Sequence, residues 1–172
     1  MKHPVYIIVA MDENNGIGKD GDLPWRLKKE MQYFAKTTKS TDDPNKQNMV
    51  VMGRKTWESL PEKYRPLPDR QNVILTRNQD FEAQDQAQVA HDLDSALKLA
   101  DEHSEKIFII GGGQIFQQAI NHPDLTGIYI TRIHHNFDCD TFFPGVPDKF
   151  PRLKELGEEQ EGATNFSYHL HF

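Results

Sequence analysis

The chain has 172 residues, a net charge of −6 at neutral pH, 37% hydrophobic and 27% charged residues, and one cysteine. That length supports one domain, 1–172, with its own core, and the negative balance, without a long basic run, argues against a nucleic-acid or anionic-membrane surface. Cys139 has no second cysteine to pair with, which fits a reducing compartment, and no stretch approaches the ~18 apolar residues of a membrane span; the expectation is a cytoplasmic protein.

In chain order, "VYIIVAM" (5–11) is a β-branched apolar run and reads as a central strand buried on both faces, not as a signal peptide, because Asp12 and Glu13 follow at once. "DENNGIGKDGDLPW" has no periodicity and reads as a long, functional loop. "DLPWRLKKEMQYF" (22–34) then enters a helix, with Leu27, Met31 and Phe34 in a narrow apolar arc. Glu30 lies about 40° from Phe34, beside that stripe. Either Glu30 forms a solvated i,i+4 pair with Arg26, or it faces a cavity that takes an N–H-rich ligand.

"NMVVMG" is a second buried strand running into a short helix, "RKTWESL". "PEKYRPLPDR" is a Pro-rich loop, and "NVILTR" is a third strand. "DLDSALKLAD" opens on an Asp and has helical period. "KIFIIGGG" is a fourth strand, "QIFQQAI" a helix and "GIYITRI" a fifth strand. The segments around "PRLKELGE" and "NFSYHLHF" are two weaker tail strands. Alternating strands and helices predict a single-domain α/β fold: a mostly parallel twisted sheet, helices on both faces and an antiparallel C-terminal hairpin at one edge. His134 with His135, and His169 with His171, have no Cys or carboxylate at a metal-ligand spacing, so no metal is expected.

Open α/β sheets bind ligands beyond the carboxyl ends of their strands. After "VVMG" come Arg54, Lys55 and Thr56; after "VILT" comes Arg77; after "FII" come Gly111, Gly112 and Gly113. Cations and glycine-rich helix starts at three strand ends suit a dinucleotide with several phosphates. Neither a Walker sequence nor G-x-G-x-x-G is present.

The ordered segments "GIGKDGDLPW", Glu30 with "YF" after it, "VVMGRKTWESL", "RPLPDR", "NVILTR", "IIGGGQIF", "IYITRI" and "DTFFP" resemble dihydrofolate reductases along nearly the whole chain. The resemblance implies NADPH-dependent reduction of 7,8-dihydrofolate to tetrahydrofolate, in support of one-carbon metabolism, by a monomer that antifolates could inhibit. It assigns Glu30 to the pterin N3 and 2-amino groups, with Trp25 ordering the site and protonation of N5 arriving through water. It places Ile8, Ala10, Phe34 and Leu60 against the pterin and aminobenzoyl rings. Arg70 would hold the substrate α-carboxylate, and Thr131 would bond Glu30 and the pterin amino group.

Cofactor positions implied by the same likeness are Ala10, Ile17, Gly18, Gly21, Asp22, Leu23, Arg54, Lys55, Thr56, Thr76, Arg77, Ile110, Gly111, Gly112, Gly113, Gln114, Ile115 and Phe116. Arg54 and Arg77 would take the adenosine 2′-phosphate. A cis bond is expected between Gly111 and Gly112, and the loop from Gly16 to Leu23 would close over the nicotinamide. Many members carry Tyr where this chain has Phe116. Two other readings stand beside this one: a riboflavin-pathway type of NADPH reductase on the same scaffold, which would lack the Glu30–Phe34–Arg70 set, and a non-catalytic NADPH-binding module.

Overall fold

The computed structural model describes residues 2–83 and 86–172. Its ten strands are β1 (Val5–Met11), β2 (Gly16–Gly18), β3 (Gln47–Gly53), β4 (Arg70–Leu75), β5 (Gln88–Ala90), β6 (Ser104–Gly111), β7 (Leu125–Ile133), β8 (Thr141–Phe142), β9 (Leu153–Glu161) and β10 (Thr164–His171). The helices are α1 (Lys28–Lys39), α2 (Arg54–Ser59), α3 (Leu93–Leu97) and α4 (Gly113–Ala119). Eight strands form one sheet in the order β5-β4-β3-β6-β1-β7-β10-β9. Strands β5 to β7 in that order run parallel. β10 is antiparallel to both β7 and β9, which puts the hairpin at one edge, as the tail sequence implies.

Period-2 alternation on β1 divides the core into two layers. Val5, Ile7, Val9 and Met11 pack with Leu93 and Ala96 of α3 and with Ile115, Phe116 and Ala119 of α4. Ile8 faces the other side, in a cluster with Val50, Met52, Trp57, Ile74 and Phe108, against which Phe34 packs. Helices therefore cover both faces. Each fully buried Ile or Val contributes about 1.5–3 kcal/mol through burial of apolar surface.

Three details differ from the sequence reading. The loop after β1 is not wholly irregular: β2 pairs with β8, and the Asp12 carboxylate accepts the Asn14, Gly16 and Phe137 N–H groups. Strand β5, of three residues, adds an edge beside β4. The Asp-initiated helix does begin with an Asp92 cap, whose carboxylate accepts the Ser95 N–H at 2.7 Å, but α3 runs for only five residues. A helix that short draws its stability from packing Leu93 and Ala96 on the sheet, not from propensity.

Candidate ligand cleft

The site is assembled from α1 upward. Glu30, Phe34 and Thr38 recur every four residues and so form one line along the helix. Eight residues at 1.5 Å rise separate the ends of that line by about 12 Å. The line faces the sheet. Thr131 of β7 donates its hydroxyl to Glu30 Oε1 at 3.3 Å, and Ala10 is the register partner of Thr131 on β1. Removal from water pushes the Glu30 carboxyl up to about 7, with the Thr131 hydrogen bond opposing that shift.

The Arg26 alternative is overturned. Arg26 approaches Asp22 at 4.0 Å, with both side chains well exposed, and Glu30 turns inward. The apolar stripe also needs correction: Leu27 and Phe34 pack inward, whereas Met31 is 64% exposed. Met31 stands some 60° around the helix from Phe34, on the flank beyond Thr38, and so faces solvent and does not seal the core. No sequence signal separates those two roles for an apolar residue.

At the far end of the line, Thr38 is fully buried and donates to Phe34 O at 2.8 Å. Its oxygen accepts Arg70 Nη1 at 2.8 Å, and Arg70 Nε donates to Pro68 O at 2.9 Å. Arg70 is 8% exposed. Burial pulls its pKa down, against the pull of nearby Asp69, but a guanidinium starts so high that it stays charged. Both of these hydrogen-bond acceptors are neutral. Thr38 was not foreseen as part of the site; its i+8 spacing from Glu30 is the signal that could have found it.

The side chains between these ends are apolar. Ile8, Phe34, Leu60 and Ile110 share one cluster. Trp25 is 5% exposed and tilts against Phe137 at 5.2 Å, and its indole N–H has no acceptor among the described residues.

The glycine turn after β6 lies close to the other predicted positions. The Gly111–Gly112 peptide is cis, as expected. A Cβ on Gly111 would come within 3.1 Å of Thr56 Oγ1, and one on Gly113 within 3.1 Å of Thr141 Cγ2 and 3.9 Å of Ile17 Cδ1. Gly53 backs onto the same turn, with Gly112 N 3.6 Å from where its Cβ would stand. Ile17, Thr56 and Gly111 to Gly113 are thus brought together, and Gly18 enters through the β2–β8 pairing.

Other positions stand apart. Gly21, Asp22 and Leu23 are exposed at the loop tip, as are Lys55, Arg77 and Gln114 at their helix or strand ends. Thr76 holds the turn after β4, accepting the Asn78 N–H. Arg54 is engaged by Glu58 and lies over the Phe81 ring at 4.8 Å. Ile115 and Phe116 turn into the α3–α4 layer, where Phe116 meets Phe143 edge-on. Their side chains serve packing. A separate cavity of about 460 Å³ lies on the other flank of α1, against Tyr33, Lys36, Tyr129, Leu156 and Tyr168, and contains none of the predicted site residues.

A mostly parallel α/β sheet with α1 laid across one face, a partly buried acid toward the carboxyl ends of β1 and β7 and a buried cation at the amino end of β4, defines an α/β domain with a candidate small-molecule site. Comparison with known proteins narrows this class. Residues 4–172 match the family model described as "Dihydrofolate reductase". The chain is 45% identical to the dihydrofolate reductase of Drosophila melanogaster, covering 95% of this chain and 94% of that one. It is 42% identical to that of Heliothis virescens, over 95% and 93% of the two chains. The structure of Schistosoma mansoni dihydrofolate reductase superposes with a TM-score of 0.83 at 34% identity, over 99% of this chain and 98% of that one. The chain belongs to the dihydrofolate reductase family.

Proposed function

We propose that this chain reduces 7,8-dihydrofolate to 5,6,7,8-tetrahydrofolate, with NADPH as the reductant. The observation that carries the reading is the single line on α1 that ends in Glu30 and Thr38–Arg70. A ligand satisfying both ends must be elongated, with N–H donors at one end and an anion at the other, and flat and apolar between. Dihydrofolate has that form.

Ionised Glu30 would accept the pterin N3 and 2-amino hydrogens, each charge-assisted bond worth about 1.5–3 kcal/mol. Thr131 fixes the carboxylate from behind. Ile8, Phe34 and Leu60 supply the apolar walls. Arg70, already fixed through Nε and Nη1, keeps donors for the substrate α-carboxylate and suits its fork geometry.

The fit to a dinucleotide rests on bare backbone and cations. Thr56 and Thr141 crowd the places where side chains on Gly111 and Gly113 would stand, so close packing keeps these positions glycine, and the bare backbone of the turn would lie against the nucleotide. Arg54, Lys55 and Arg77 would hold phosphate groups, the 2′-phosphate among them. When bound, the nucleotide supplies a hydride for C6 of the substrate. The chain's own part is the proton that N5 must gain. Glu30, with its pKa near 7, exchanges protons near neutral pH. The buried Trp25 N–H, without an acceptor among the described residues, would orient water toward N5. The loop from Gly16 to Leu23, anchored where β2 meets β8, would cover the reacting rings and exclude bulk water.

The test is absorbance at 340 nm with purified, folded protein. NADPH should be consumed only with dihydrofolate present, and NADH should serve much less well. Absence of turnover with NADPH and dihydrofolate refutes the proposal.

A further inference from the structure

Helix α1 lacks a cap of its own. Its N-cap is Leu27, which has no side-chain acceptor to offer the exposed amides. The acceptor comes from more than 130 residues later. At the end of β9, Glu161 Oε2 accepts the Lys28 N–H and Glu161 Oε1 accepts the Lys29 N–H, both at 2.8 Å. The same hairpin grips the helix twice more: Lys29 Nζ donates to Gln160 O at 3.0 Å and lies 3.6 Å from Glu159 Oε2. These amides hold the Glu161 carboxyl below its ordinary range, so it is an anion at working pH.

Glu30 is the third residue of this helix, about 3 Å further along the axis. An acid in a first turn is ordinarily held ionised by the free N–H groups and partial positive charge of the helix start. Here an anion from another part of the chain occupies those groups. We infer that Glu161 is a positioning residue for the reaction: by capping α1 with a full negative charge it fixes the first turn over the cleft and cancels the field that would otherwise keep Glu30 ionised. The inference rests on the role proposed above for Glu30.

Other groups around Glu30 do not take over this part. Tyr33 from α1 and Tyr168 from β10 stack at 3.7 Å, and both have pKa values raised above the tyrosine norm, so they stay neutral. Thr131 from β7 carries no charge. Lys28 and Lys29, on the helix itself, bring positive charge, which acts against a raised Glu30 pKa. Glu159 and Glu161 are the acids that β9 brings to this end of the helix.

The test follows the Glu30 side chain directly, by carboxyl ¹³C NMR titration of the ligand-free protein, in wild type, Glu161→Gln and Glu161→Lys. Glu161→Gln keeps the shape and removes the charge. It should lower the Glu30 midpoint by about 0.2–0.7 pH unit, the range expected for a charge at a helix terminus, and Glu161→Lys should lower it further. The pH profile of hydride transfer should move with the midpoint. Folded variants whose Glu30 midpoint equals that of wild type would overturn the inference and leave the assigned activity untouched. Loss of the wild-type midpoint near 7 would instead strike the role of Glu30 itself.

Discussion

The two ends of the cleft bury opposite charges and treat them differently. Glu30 is desolvated with one hydroxyl donor, and its carboxyl is pushed up to about 7. Arg70 is desolvated too, with two neutral acceptors, and its pKa is pulled down. Removal from water acts on both. It makes the acid a group that changes charge near neutral pH, because a carboxyl starts low enough to be moved there. It leaves the guanidinium a permanent cation, because no comparable shift reaches neutrality. One end of the line is suited to moving a proton, the other to holding an anion.

Substitutions at each end should separate these roles. The largest effect is expected for Glu30→Gln, which keeps the shape but can neither ionise nor relay a proton. Single-turnover hydride transfer should fall by roughly 10²–10⁴-fold above pH 7, and by less at low pH, where solution supplies the proton. An equal loss at every pH would show that Glu30 only binds. Next is Arg70→Leu. Removing a charge-assisted clamp should raise KM for dihydrofolate by roughly 10²-fold, while a pterin without the glutamate tail should be reduced as before. If both substrates suffer alike, Arg70 is part of the wall and not an anion clamp.

The parts of this arrangement that sequence makes legible are those with strong local patterns. The buried runs of β1, β3, β4, β6 and β7 could be read from β-branched apolar stretches, and the strand ends followed from them. Strands β2, β5 and β8, of two or three residues, are too short to show alternation. Glu30 stands out because it is a carboxylate at the edge of an apolar arc. Met31 on the same arc gave no sign that it would face solvent, since periodicity gives a residue's angle around a helix and not what lies opposite. Thr38 reads as an ordinary helix residue, and only its bond to Arg70, far along the chain, gives it a place in the site. Glu161 was least legible of all, because its partners are backbone amides of a distant segment.

The raised Glu30 pKa also has a thermodynamic signature. Between its ordinary value of 4.5 and about 7, the folded protein retains a proton that the unfolded chain releases, so stability falls as pH rises through that window. By pH 8 the loss attributable to Glu30 is of the order of 3 kcal/mol, and Glu30→Gln, always neutral, avoids it. The decisive measurement is therefore the unfolding free energy of Glu30→Gln minus that of wild type, taken by denaturant titration from pH 4 to pH 8. The difference should be constant below about pH 4.5 and grow in favour of the variant up to about pH 7–8. A difference that stays flat across the range would mean that Glu30 ionises as freely as in water, and the cleft chemistry assigned to it would be wrong.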